Sequence, residues 1–229
     1  MLAPPLLVYA GAAAELLPPI AFVATRSRDR ARGGIAVWCL LLFATNLTTR
    51  WFGVRHENSL VFNYFSEAIA GAWLIWVLSC WQARPVSAFA LRLLIQFYFL
   101  ANLVLIVTVE DTENFSHVTS TLNGFLLMTL VLFTLISRSL DERILLTQFD
   151  WFWVCCGLVV YMTNEMATIP LARVLVQGHL DLLVTMFIAK SLIETLAMLI
   201  ITRGLLCPTQ PLPSGGFSSP PSSPLSSSS

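Results

Sequence analysis

Apolar residues fall into seven long runs separated by short polar or charged segments. An α-helix rises 1.5 Å per residue, so a run of about 20 residues crosses the roughly 30 Å hydrocarbon core of a bilayer. The spans predicted from these runs are residues 4–24, 35–52, 60–81, 88–109, 118–137, 149–170 and 181–203. The pattern therefore predicts an all-α fold, a seven-transmembrane helix bundle that occupies residues 1–206.

The positions of the arginines predict how this bundle is oriented. Basic residues that flank a span stay on the cytoplasmic side. On this rule three arginines lie outside, namely Arg50, Arg55 and Arg173. Nine lie inside, namely Arg26, Arg28, Arg30, Arg32, Arg84, Arg92, Arg138, Arg143 and Arg203. The N-terminus is thus predicted outside and the C-terminus inside, which makes the Pro- and Ser-rich residues 207–229 a disordered cytoplasmic tail.

Composition agrees with a membrane protein and narrows its partners. The chain is 56% hydrophobic and only 11% charged, and its 13 basic and 13 acidic residues cancel. This apolar composition with no net charge is typical of a multi-pass membrane protein, whose partner is the lipid bilayer rather than nucleic acid. Five cysteines without CxxC spacing predict no disulfide, and three histidines in separate loops predict no metal site. No hydrolase or nucleotide-binding motif is present, so an enzyme is not expected.

Ionisable residues within the predicted spans are the main functional signal. Lys190, the only lysine, lies near the middle of the seventh span, and Glu194 follows four residues later on the same helix face. A cation at the centre of a spanning helix costs about 2.5–3.5 kcal/mol on insertion scales. Lys190 is therefore predicted to face the interior of the bundle and to have a partner there.

Further polar residues of the spans are predicted to collect around this lysine. Glu15 lies at a similar depth, and Pro18 and Pro19 must interrupt the helix beside it. Six more polar residues, drawn from four spans, fall in the outer half of the membrane: Asn46, Asn63, Glu67, Asn123, Asn164 and Glu165. They predict an outward-facing pocket with Glu15, Lys190 and Glu194 at its floor and Glu67 and Glu165 in its wall. Alternatively, they only join helices, and the Lys190–Glu194 pair only neutralises itself for insertion.

This pattern favours a receptor- or sensor-like membrane protein whose pocket binds a small ligand or ion. Signalling would then require another membrane or cytoplasmic protein, reached through the loop at Arg26 to Arg32 or through the tail. Two alternatives remain open: a transporter of a solute, ion or proton through the same pocket, and a structural subunit of a membrane complex.

Seven spans, an outside N-terminus and a lone lysine midway along the last span resemble the retinal-binding rhodopsins. The resemblance implies retinal bound to Lys190 as a Schiff base, in a photoreceptor or pump. The third span departs from the microbial rhodopsin pattern, because Asn63 to Glu67 has no neighbouring arginine or tryptophan. Met186 also stands where those proteins carry an aspartate four residues before the lysine.

Two short stretches, Glu15-Leu16-Leu17-Pro18 and Tyr161-Met162-Thr163-Asn164, resemble uncharacterised small seven-helix membrane proteins of bacteria. This second resemblance covers nearly the whole membrane region and implies the same fold and location in a bacterial inner membrane. It implies no activity.

Overall fold

The computed structural model describes residues 10–55, 59–82, 84–109, 118–141, 146–176 and 180–208. Over these residues the chain is helical and contains no strand, so the predicted all-α class is confirmed. The described helices are α1 Leu17–Thr25, α2 Arg30–Val54, α3 Leu60–Cys80, α4 Pro85–Thr108, α5 Thr119–Asp141, α6 Asp150–Val176 and α7 Leu180–Leu205, with a 3₁₀ turn at Leu146–Gln148. Six of them, α2 to α7, are long and apolar enough to cross a membrane.

The first helical segment is shorter and broken. Its described part, Ala10–Thr25, changes from helix to turn at residues 15–16, and α1 then starts with Pro18 and Pro19 in its first turn. Proline has no N–H, so Pro18 and Pro19 would each remove one backbone hydrogen bond from a continuous helix. Both residues fit the first turn of a new helix. The interruption predicted beside Glu15 therefore occurs. The predicted span of residues 4–24 starts before the described residues.

Two helices extend beyond their predicted ends. Helix α2 begins at Arg30 rather than at residue 35, because the Asp29 carboxylate accepts the N–H of Ala31 at 2.9 Å and caps the helix. Arg32 thus belongs to a helix and not to the predicted loop. Helix α6 continues to Val176 instead of ending at Pro170, so Arg173 is also helical. Hydropathy located the apolar part of each helix, whereas local hydrogen bonding set where it starts.

Six helices form a closed ring, and the remaining helix, α4, lies outside it. Each member packs on the next in the order α1, α2, α3, α5, α6, α7, and α7 packs on α1 again. Helix α4 packs mainly on α3 and hardly touches α5. Helices α6 and α7 approach each other closely, since a Cβ on Gly157 of α6 would lie only 2.9 Å from the carbonyl oxygen of Ala197 in α7.

The two ends of the bundle differ in content. We call the end at which α2, α4 and α6 begin and α1, α3, α5 and α7 finish the arginine end. Its interior is closed by buried apolar side chains, including Ile35, Leu78, Val154 and Leu205. Polar side chains concentrate instead in the half of the bundle toward the opposite end. The fold thus places a mainly apolar core toward the arginine end and most of the buried polar side chains toward the opposite end.

Candidate functional site

Lys190 is held between two carboxylates. Its ammonium group donates to Glu165 Oε1 of α6 at 2.5 Å and also to Glu194 Oε1, one turn along α7. Asn164 of α6 donates from Nδ2 to the backbone oxygen of Lys190 at 3.2 Å. The predicted pairing of Lys190 with Glu194 is present, and Glu165 joins the same ion cluster. The charges of α6 and α7 therefore meet between the helices instead of facing lipid.

Glu15 lies beside this cluster but has a different partner. Its side chain is buried, with Oε1 accepting from Asn46 Nδ2 of α2 at 2.6 Å. Glu15 Oε2 has no hydrogen-bond partner among the described residues. The N–H of Gly11 donates to Ser191 Oγ of α7 at 3.1 Å, which holds the first helical segment against the turn that carries Lys190. Glu15 thus belongs to a contact of the first segment with α2, next to the ion cluster.

A cavity of about 210 Å³ opens between α2, α3, α5, α6 and α7. Six of the nine residues predicted for the pocket line it: Asn46, Asn63, Glu67, Asn123, Glu165 and Lys190. The other three, Glu15, Asn164 and Glu194, do not line it but hydrogen-bond to residues that do. Of the three residues predicted for the floor only Lys190 lines the cavity, whereas both residues predicted for the wall, Glu67 and Glu165, do so.

Sequence reasoning missed the hydroxyl and aromatic parts of the lining. Thr45 and Thr49 of α2 and Ser120 of α5 line the cavity together with Trp38 and Tyr161. The Trp38 and Tyr161 rings meet edge to face with their centroids 5.4 Å apart. The i,i+4 spacing of Thr45 and Thr49 was a readable signal, since it places both hydroxyls on one helix face. The aromatic contact between α2 and α6 had no such signal.

Several polar residues around the cavity bond to each other across helices. Three such bonds measure 2.6 Å: Thr49 Oγ1 to Asn63 Oδ1, Ser120 Oγ to Glu67 Oε2, and Asn123 Nδ2 to Asn102 Oδ1. They connect α2 with α3, α5 with α3, and α5 with α4. The alternative interpretation, that polar residues of the spans only join helices, applies at least in part to these residues. Their interhelical hydrogen bonds offset the free-energy cost of placing polar side chains in an apolar environment.

An ion pair at the arginine end is a second feature that the sequence did not reveal. Arg32 is buried, donates from Nε to Asp150 Oδ2 at 2.7 Å, and reaches the carbonyl oxygen of Leu205 at 3.5 Å. The assignment of Arg32 to a loop is wrong, because Arg32 belongs to α2 and its side chain joins α2 to the start of α6 and the end of α7. The partners are far apart in sequence, so no local pattern announces the contact.

Other predicted features have simpler outcomes. The five cysteines are free thiols, and Cys207, where the tail was predicted to begin, is buried two residues after the end of α7. Among the described residues no cluster of His, Cys, Asp and Glu could hold a metal ion. The three histidines, His56, His117 and His179, and residues 209–229 of the predicted tail lie outside the described residues.

Fold and composition define a class: the protein is an α-helical, multi-pass integral membrane protein, and the apolar outer faces of its helices contact the lipid bilayer. Comparison with known proteins adds no narrower identity. No protein-family model, no curated protein and no solved structure matches the chain.

Proposed function

We propose that the cavity is a binding site for a small polar solute or ion and that the protein acts as a receptor or sensor. The observation that carries this proposal is the Lys190–Glu165 ion pair in the wall of an open cavity. Charged groups at membrane depth are costly, and they usually mark a ligand site or a pathway. A pair that served only to join α6 and α7 would be expected within a packed interface.

The size and lining of the cavity favour a small ligand. Its volume of about 210 Å³ is below the roughly 300–1,000 Å³ of typical pockets for drug-sized molecules. The lining offers an ammonium group, carboxylates, amides and hydroxyls, which suit a solute that carries both donors and acceptors. Retinal, a long apolar chromophore, fits this volume and lining less well, so the Schiff-base alternative through Lys190 has less support.

The proposed orientation places the N-terminus outside and the C-terminus inside, with seven crossings. It is supported by the arginines, since Arg26, Arg84, Arg138 and Arg203 all lie at the arginine end, and this end would face the cytoplasm. The cavity lies toward the opposite end and would then be reached from outside. Epitope tags at the two termini test the orientation: only the N-terminal tag should be accessible on intact cells. A bacterial inner membrane rests on the family resemblance alone.

Binding can be tested by thermal unfolding of the detergent-purified protein with a panel of single amino acids, polyamines, short carboxylates and inorganic ions. At least one class should raise the unfolding temperature of the wild type and fail to do so for Ala70→Leu, which fills the cavity from α3. Thr129→Val on the exposed face of α5 is the matched control and should respond like the wild type. Equal responses of wild type and Ala70→Leu to every compound would refute binding in this cavity.

Transport is the second candidate, and one observation favours it. The first helical segment breaks at residues 15–16, directly beside the ion cluster, and Glu15 Oε2 is buried there without a partner. Glu15 does not line the cavity itself but bonds to Asn46, which does. Broken helices with polar groups at the break are a common element of transport sites. Flux of a solute that binds, measured into proteoliposomes and reduced by Glu15→Gln, would support transport. Binding without flux would leave the receptor function.

Two further alternatives have direct tests. A retinal protein would become coloured when all-trans retinal is added, and Lys190→Ala would abolish the colour. A structural subunit would co-purify with fixed partners and bind none of the panel compounds. Another membrane or cytoplasmic protein is required in the receptor proposal as well, because signalling needs an output.

A further inference from the structure

The outer face of α4 carries a heptad-like seam. Six exposed residues on this face are spaced alternately by four and three positions: Phe89, Leu93, Gln96, Leu100, Leu103 and Val107. The opposite face of the same helix, with Leu91, Tyr98 and Asn102, is buried. A 4-3 spacing keeps a stripe in register with a second helix that crosses at about 20°, as in left-handed helix pairs. The stripe therefore has the geometry of a helix-packing surface.

Gln96 makes this face unlike an ordinary lipid-facing surface. It lies midway along Pro85–Thr108, about 16–18 Å from either end at 1.5 Å per residue, so its amide would lie near the centre of a hydrocarbon core of about 30 Å. The amide has no hydrogen-bond partner among the described residues, although its side chain is exposed. Other exposed polar groups of the spans, such as Thr129 and Thr163, bond to carbonyls of their own helices. A lone amide in hydrocarbon costs free energy that an interhelical bond would recover.

We propose that α4 is a homodimer interface, in which two copies pack in parallel along this seam and each Gln96 amide bonds to the same amide of the second copy. A two-fold axis along the membrane normal places identical positions of α4 at the same depth, so Gln96 meets Gln96. An amide carries a donor and an acceptor, and two amides can therefore satisfy each other reciprocally. Because the seam is apolar above and below Gln96, the register that pairs the two amides is the one in which neither is left in lipid.

The position of α4 in the bundle is compatible with this assembly. Helix α4 lies outside the six-helix ring and does not line the cavity, so a second copy could pack on it without disturbing the Lys190 cluster. The proposal is thus independent of the proposed ligand site. Changes at Gln96 are expected to alter assembly and to leave binding in the cavity unchanged.

The test is energy transfer between differently labelled copies of the full-length protein in liposomes, measured over a range of protein-to-lipid ratios. We expect a dimer, and we expect Gln96→Leu to raise its dissociation constant by about 5- to 30-fold, the effect of one to two polar interhelical bonds. Gln96→Asn keeps an amide and should weaken the dimer less than Gln96→Leu. Thr129→Val removes an exposed polar group of α5 and should have no effect.

Thiol crosslinking gives a second measurement that does not depend on the energetic contribution of Gln96. Leu103→Cys, within the seam, should give crosslinked dimers with a short bis-maleimide, whereas Phe97→Cys, exposed but outside the seam, should give only the background of the wild type with its own five cysteines. A monomer at every protein-to-lipid ratio would overturn the proposal. So would equal crosslinking of the two variants, or a dimer that Gln96→Leu leaves unchanged.

Discussion

The ion pair between Arg32 and Asp150 allows a quantitative test of how the bundle is closed. The side chains are only 3% and 16% exposed, and they join α2 to α6 at 2.7 Å. Asp150→Asn removes the negative charge but keeps an oxygen that can accept the N–H of Trp151, which Asp150 Oδ1 accepts at 2.8 Å. The Arg32 guanidinium would then remain buried, with the Leu205 carbonyl at 3.5 Å as its other contact.

The expected loss for Asp150→Asn is about 3–5 kcal/mol in the free energy of unfolding, the usual cost of leaving one partner of a buried ion pair without the other. The double variant Arg32→Met/Asp150→Asn should be more stable than Asp150→Asn alone, by about 2 kcal/mol or more, because no unpaired charge is left. Equilibrium unfolding in mixed micelles, followed by tryptophan fluorescence, measures both values. Trp151 is buried next to the pair and reports on it directly.

The control is Arg28→Met, which removes an exposed arginine from the connection between α1 and α2 and should change stability by less than about 0.5 kcal/mol. The reasoning fails if Asp150→Asn loses less than about 1 kcal/mol. It also fails if the effects of Arg32→Met and Asp150→Asn simply add in the double variant, because additivity would mean that the two charges do not interact.

Two more predictions concern α6 and α7. Lys190→Met should lower the free energy of unfolding by about 2–4 kcal/mol, which is less than the loss expected for a fully buried ion pair, because the cavity is near. Glu165→Gln in the same chain should restore part of that loss. A double variant no more stable than Lys190→Met would contradict this. Gly157→Val should cost about 1–3 kcal/mol in thermal or denaturant unfolding, because its side chain would meet the backbone of Ala197. Gly33→Ala is the control, since its added methyl would meet only the ring of Phe22, at 3.3 Å or more, and no backbone atom. Equal losses for the two variants would show that α6 and α7 are not closely packed.

Much of the architecture could be predicted from hydropathy, because apolar runs report on the membrane as a solvent. The spans around α3, α4 and α7 agree with the helices to within a few residues, and the break beside Glu15 followed from the two prolines. Helix ends were less predictable, because a cap such as the Asp29 carboxylate adds polar residues to a helix whose apolar part starts later. The charge on Arg32 was therefore assigned to a loop.

The candidate site was only partly contained in the sequence. The i,i+4 spacing determined by itself that Lys190 and Glu194 share a face of α7. The free-energy cost of placing these charged side chains in hydrocarbon required that this face turn toward the interior of the bundle. Which carboxylate of another helix would reach Lys190 was decided by the packing of α6 on α7, which brings Glu165 to 2.5 Å. Glu15 was predicted at a similar depth and could equally have been the partner of Lys190. In the tertiary structure its carboxylate accepts a hydrogen bond from Asn46 instead.

The sequence by itself determined a membrane protein of long apolar helices with a few costly charges that had to find partners. Only the tertiary structure decided the partners, the location of the cavity and the peripheral place of α4. The physical reason is that the free energy of transferring a segment from water to lipid depends on its local composition. Ion pairs, close helix contacts and cavities depend instead on the relative positions of segments far apart in the chain.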